Sequence, residues 1–70
     1  MFEYDYSPMG NLINEKITGR KAARNRQILR LRFLDGLTYA EIAGIMDMSE
    51  VQIGRIVHRY GDPLLLMIAK

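Results

Sequence analysis

Cysteine and tryptophan are both missing from this 70-residue sequence, and histidine occurs once, as His58. Without cysteine the chain forms neither a disulfide nor a thiolate metal site. One histidine with no carboxylate cluster near it cannot build a zinc site, so no metal and no cofactor are expected. The sequence also lacks a nucleophile–base pair and a Gly-rich phosphate loop, which argues against an enzyme. Long apolar runs are missing too. The longest, Leu64 to Ala69, falls far short of the roughly 20 residues needed to span a bilayer. The opening Met-Phe-Glu-Tyr-Asp-Tyr has neither the basic start nor the apolar stretch of a secretory signal. These absences lead to the expectation of a soluble, cytoplasmic protein with no membrane partner.

What is present fits a folded module: 49% of the residues are hydrophobic and 26% charged. A domain of this size buries only about 60% of the surface its unfolded chain exposes, so its stability is modest. The net charge of +2 hides a strong segregation. Residues 1–15 carry three acids and no base, and residues 33–54 carry four acids and no base. Between them Lys16, Arg20, Lys21, Arg24, Arg26, Arg30 and Arg32 stand without an acid. A block of that kind is either a solvated helix face or a surface for a polyanion, of which nucleic acid is the commonest.

The expected fold class is all-α, a small helix-turn-helix bundle of four to five helices. Residues 1–10 read as an N-terminal arm in which Phe2, Tyr4 and Tyr6 alternate with Glu3 and Asp5. That pattern suits a short strand, an aromatic arm or a frayed tail. Asn11 is expected to cap a short helix from Leu12 to about Thr18. A longer helix follows from about Arg20 to Leu34, stopped by a left-handed Gly36. Its stripe at spacings of three and four takes in Ala23, Arg24, Gln27, Ile28, Leu31 and Leu34 or Asp35, widened by Leu29 and Phe33. The domain proper is placed at residues 11–63, with a C-terminal apolar helix at 64–70.

Residues 38–60 are the informative stretch. Thr38-Tyr39-Ala40-Glu41 is a capping box, in which the threonine side chain and the glutamate each take an orphan backbone N–H. A helix from Tyr39 to about Met46 then points Ile42 and Ala43 inward, beside Ile45 or Met46. Asp47-Met48-Ser49 interrupts it for three residues. Ser49 caps a further helix from Glu50 to about Tyr60, which buries Ile53, Ile56 and Val57 and is closed by Gly61-Asp62-Pro63. Two short helices joined by such a turn form a helix-turn-helix. Ala43 is small enough to let the two backbones cross closely. Asp47 occupies the position that needs positive φ, which aspartate tolerates better than most side chains. Met48 drops into the core.

QILRLRFLDGLTYAEIAGIMDMS, residues 27–49, resembles region 4 of bacterial sigma factors over about half the chain, Arg26 to Tyr60. The LuxR/GerE-type effector domain has a similar shape and adds a last helix through which monomers pair; residues 61–69 can supply one. The resemblance implies double-stranded DNA as partner, transcription regulation as role and nucleoid association as location. Sigma factors commonly carry Arg-Glu after the capping residue, whereas Glu50-Val51 stands here, so a different base sequence is expected. The domain that melts promoters is not found in these residues, which suggests a free-standing regulator of phage or bacterial type.

In the major groove the second motif helix would present Ser49, Glu50, Val51, Gln52 and Arg55 to base edges. Arg55 suits guanine O6 and N7, Gln52 adenine, Glu50 a cytosine amino group and Val51 a thymine methyl. Gly54 reads either as close approach to DNA or a neighbouring helix, or as mere tolerance. Phosphate contacts are expected from Arg24, Arg26, Arg30, Thr38, Tyr39, His58 and Arg59. Arg32 is the alternative to Arg30, because helix residues two apart point to different sides. Leu64, Leu65, Leu66, Met67 and Ile68 either complete the monomer's core or form a homodimer interface. Two other readings stay open: a module binding RNA polymerase or a sigma factor, and the DNA-targeting domain of a recombinase or packaging complex.

Overall fold

Proline at the first position of a helix gives up an N–H that has no partner there in any case, and the first helix begins on one. In the computed structural model, which describes residues 8–69, α1 runs Pro8–Lys16. It starts three residues before the expected cap, leaving Asn11 exposed within the helix. Met9, Ile13 and Ile17 recur every four residues and are all buried. Phe2, Tyr4 and Tyr6 of the expected arm lie outside the described residues.

Helix α2 spans Ala22–Phe33, slightly shorter than expected at both ends. Gly36 stops it as anticipated, with φ of 74°, and turns the chain so that the Leu37 N–H donates to the Leu31 carbonyl at 3.0 Å. The buried face differs from the expected stripe. Asn25, Ile28 and Leu29 are buried, whereas Ala23, Gln27 and Leu34 are exposed. Apolar residues are scattered around this helix, so periodicity did not select the face; packing against α1 and the C-terminal half did. The polar Asn25 is tolerated inside because Arg24 donates Nε and Nη2 to its Oδ1 at 3.2 and 3.0 Å.

Helix α3, Tyr39–Met46, begins with the capping box read from the sequence. The Glu41 N–H donates to Thr38 Oγ1 at 3.1 Å, and the Thr38 N–H donates to Glu41 Oε1 at 2.8 Å. Asp47 follows in the left-handed region at φ 57° and ψ 48°, as its place in the turn requires. Helix α4, Glu50–Ile56, starts on a second capping box, between Ser49 and Gln52. Ile42 and Ile53 are fully enclosed where α3 and α4 cross, and the partly buried Ala43 and Met48 pack beside them. Each enclosed isoleucine contributes about 1.5–3 kcal/mol of burial.

Gly61-Asp62-Pro63 does not close the helix, contrary to expectation. The backbone widens into a π-helical turn at Val57–Gly61 and continues as α5, Asp62–Ala69. Proline has no N–H to donate and its ring crowds the carbonyl four residues back; a wider turn accommodates both effects without ending the helix. Gly61 serves close packing instead of termination. A Cβ there would lie 2.7 and 2.9 Å from two ring carbons of Phe33. The described residues therefore form an all-α fold of four rods, the last comprising α4, the π turn and α5. Leu64 is 2% exposed and completes the core, whereas Leu65, Leu66, Met67 and Ile68 remain exposed. The expected core-or-interface choice thus falls differently along one helix: Leu64 is spent within its own chain.

Candidate nucleic-acid interface

Tyr39, the first residue of α3, organises one face of the molecule. The Arg32 guanidinium lies over its ring, 5.0 Å from the centroid. The same guanidinium donates Nη1 to the Leu37 carbonyl at 3.0 Å, so it is held from two sides while its remaining N–H groups stay available. A Cβ on Gly54 would sit 3.4 Å from Cε2 of the same ring. This is the close approach of a neighbouring helix, one of the two readings that the sequence left open for Gly54. The Tyr39 and His58 rings meet edge to face at 6.4 Å and 85°. The Tyr39 hydroxyl and His58 Nε2 are 3.4 Å apart, and His58 Nδ1 is 3.3 Å from Asp62 Oδ2. Arg32, Thr38, Tyr39, Ala40 and Glu50 line a shallow cleft of about 310 Å³ between the starts of α3 and α4.

Beside that cleft stands the outer face of α4. Ile53 and Ile56 point inward, which turns Val51, Gln52 and Arg55 outward, with His58 and Arg59 in the next turn. Val51 is 64% exposed, unusual for a valine on an ordered helix. Glu50 is exposed at the helix tip. Ser49 and Gln52 are partly committed to each other: the Gln52 N–H donates to Ser49 Oγ at 3.1 Å, and the Ser49 N–H donates to Gln52 Oε1 at 3.0 Å. The serine–glutamine spacing of three was visible in the sequence and carries this cap.

The basic block of α2 is divided by the fold. Arg30 reaches toward α1 and donates Nη2 to Asn14 Oδ1, whereas Arg32 sits at the start of α3. Of these two, Arg32 is on the motif's side. Arg24 is half-buried against Asn25. Arg26 is half-buried as well, and its enclosed Nε has no hydrogen-bond partner among the described residues. Arg59 lies with its guanidinium 5.7 Å from the Tyr60 ring centroid. The His58–Asp62 contact, an ion pair only when the imidazole is protonated, is the sole salt-bridge contact among the described residues, so the arginines of this surface have no carboxylate partner there. Cations without a carboxylate partner give a field suited to a polyanion. No group of three His, Cys, Asp or Glu side chains among the described residues is placed to hold a metal ion. No helix among them is long and apolar enough to cross a membrane.

No curated protein matches the chain, and neither does any solved structure. A family model does match, described as Sigma-70, region 4, over residues 22–60. The match begins with α2, takes in the capping boxes and the left-handed Asp47, and ends in the π turn. It agrees with the sigma resemblance and does not extend to the LuxR/GerE-type detail. It covers more than half of the chain, which therefore belongs to the Sigma-70 region 4 family of helix-turn-helix DNA-binding modules.

Proposed function

We propose that the protein is a sequence-specific, DNA-binding transcription regulator that places α4 in the major groove. One observation carries the reading: Tyr39 and Arg32 are fixed at the start of α3, in one cleft with Glu50 at the tip of α4 and with Tyr39 packed close to Gly54, on the helix that exposes Val51, Gln52 and Arg55. A helix-turn-helix needs that pairing, phosphate grips next to a base-reading surface. Arg55 reads a guanine through O6 and N7, Val51 packs on a thymine methyl, and Glu50 accepts from a cytosine amino group. Ser49 and Gln52 reach bases with the polar groups that their cap leaves over. Arg24, Arg32, Thr38, Tyr39, His58 and Arg59 grip phosphates; Arg32 takes the role expected of Arg30, and Arg26 gives a lesser, half-buried contribution. Titrating salt against binding to a random duplex tests the reading. Affinity falls with a log–log slope of about −0.9 for each phosphate contacted; binding indifferent to salt refutes it.

The active species in this reading is a homodimer joined through α5. Leu65, Leu66, Met67 and Ile68 are exposed together on one short helix, Leu66 at 70%, and such a cluster is a typical association surface. A two-fold pair would set two copies of α4 on successive major grooves about 34 Å apart. The same apolar face, with acidic Glu50 at the tip of α4, favours a second reading, in which the module docks on RNA polymerase or a sigma factor. Sedimentation of the protein alone and with random duplex separates the two: a dimer that shifts with DNA supports the first, a monomer that ignores DNA the second.

A further inference from the structure

A second cleft, about 530 Å³ in volume and lined by no residue of α3 or α4, lies between the start of α2 and Tyr60. Arg20, Lys21 and Arg24 line it, and no carboxylate does so among the described residues. Arg20 and Lys21 are exposed and take part in no ion pair there. Arg24 is fixed at the wall, because Nε and Nη2 both donate to the Oδ1 of Asn25, itself 3% exposed. Tyr60 forms the facing wall, and Arg59 lies over its ring. Arg59 is one helical turn, about 6 Å along the axis, beyond Arg55. Positive charge therefore runs from the outer face of α4, past Tyr60, to the start of α2.

We propose that this cleft seats backbone phosphates of the same duplex that α4 reads, extending the contact beyond the groove. The inference rests on the DNA-binding reading above. Its occupant is the phosphodiester backbone because Arg59, whose guanidinium lies over the Tyr60 wall of the cleft, stands one helical turn beyond Arg55 on the same rod. A duplex held at Arg55 thus has its neighbouring phosphates brought to Arg20 and Lys21. These contacts supply affinity without sequence preference, since phosphates carry no direct base information.

The test compares the full chain with Arg20→Ala/Lys21→Ala on a duplex containing the preferred site and on a random duplex, at several salt concentrations, with hydroxyl-radical footprints. Both side chains are exposed and make no hydrogen bond or ion pair to another described residue, so the variant keeps the wild-type circular dichroism. The salt slope is expected to fall by about 1.8, two phosphates' worth. Between 50 and 200 mM salt the variant then loses affinity by about 12-fold less than the wild type. Affinity for both duplexes drops by the same factor, the preferred sequence is unchanged, and protection disappears at one flank only. A Lys21→Arg variant keeps the wild-type slope. An unchanged slope and footprint in the double variant overturn the cleft proposal while leaving the role of α4 standing. A wild type with no salt-dependent DNA binding overturns the underlying reading instead.

Discussion

Three glycines in helical segments are predicted to respond to alanine in three different ways. Gly44 lies within α3 with nothing within 4 Å of an added Cβ. Gly44→Ala therefore gains the helix-propensity difference alone, about 1 kcal/mol. Gly54 lies within α4, where the added methyl would touch Tyr39 at 3.4 and 3.7 Å. That is ordinary van der Waals contact, so a gain of about 0.5 kcal/mol or more survives. Gly61 is the opposite case. Its added Cβ would stand 2.7 and 2.9 Å from Phe33 ring carbons and 3.6 Å from Leu29 Cδ2. The half-buried Phe33 ring must shift, and overpacking of this kind costs about 1–3 kcal/mol, which cancels or outweighs the propensity gain of about 1 kcal/mol. In a domain this small each kcal/mol moves Tm by about 4–8 °C. Thermal unfolding followed by circular dichroism should rank Gly44→Ala, Gly54→Ala and wild type from highest Tm to lowest, with Gly61→Ala level with the wild type or below it. A Gly61→Ala protein more stable than the wild type, by as much as Gly44→Ala, would refute the close packing of the π turn against α2.

Asp47→Gly is expected to be neutral or to stabilise by up to about 1 kcal/mol, because glycine adopts positive φ without the steric cost of a side chain. Asp47→Val, β-branched at the same φ of 57°, should lower Tm; a rise would contradict the left-handed turn. Arg32→Ala should weaken binding to specific and random duplexes alike, whereas Arg30→Ala should leave both unchanged, as measured by fluorescence anisotropy. Equal losses from the two would show that the division of the basic block is wrong. Leu66→Glu alters a side chain already 70% exposed, so the variant should fold, sediment as a monomer of about half the wild-type mass, and lose affinity for a two-fold site. Unchanged sedimentation would exclude α5 as the joint.

Local chemistry was legible in the sequence; long-range choices were not. Thr38, Asp47 and Ser49 could be placed because caps and left-handed turns are decided by residues three or four apart. The capping role of Gln52 was equally local and was available from its spacing to Ser49. The buried face of α2 was not legible. Its apolar residues lie all round the helix, and Asn25 enters the core only because Arg24 covers its carbonyl oxygen. The choice between Arg30 and Arg32 depended on Asn14, sixteen residues from Arg30 and on another helix. Gly61 and Pro63 read as a stop because breaker residues usually act locally. Here the helix continues past them through a π turn, with Gly61 close against Phe33, far away in sequence.

The central claim is that α4 reads DNA bases while the arginines around it hold the backbone. Repeated selection of bound duplexes from a random pool, with wild type and Arg55→Ala side by side, tests it most directly. The wild type should converge on one short sequence, and Arg55→Ala should keep that sequence except at a single guanine, losing about 1–3 kcal/mol on the selected site. A wild type that enriches no sequence, or an Arg55→Ala variant that enriches the same one with undiminished preference at every position, would contradict the account.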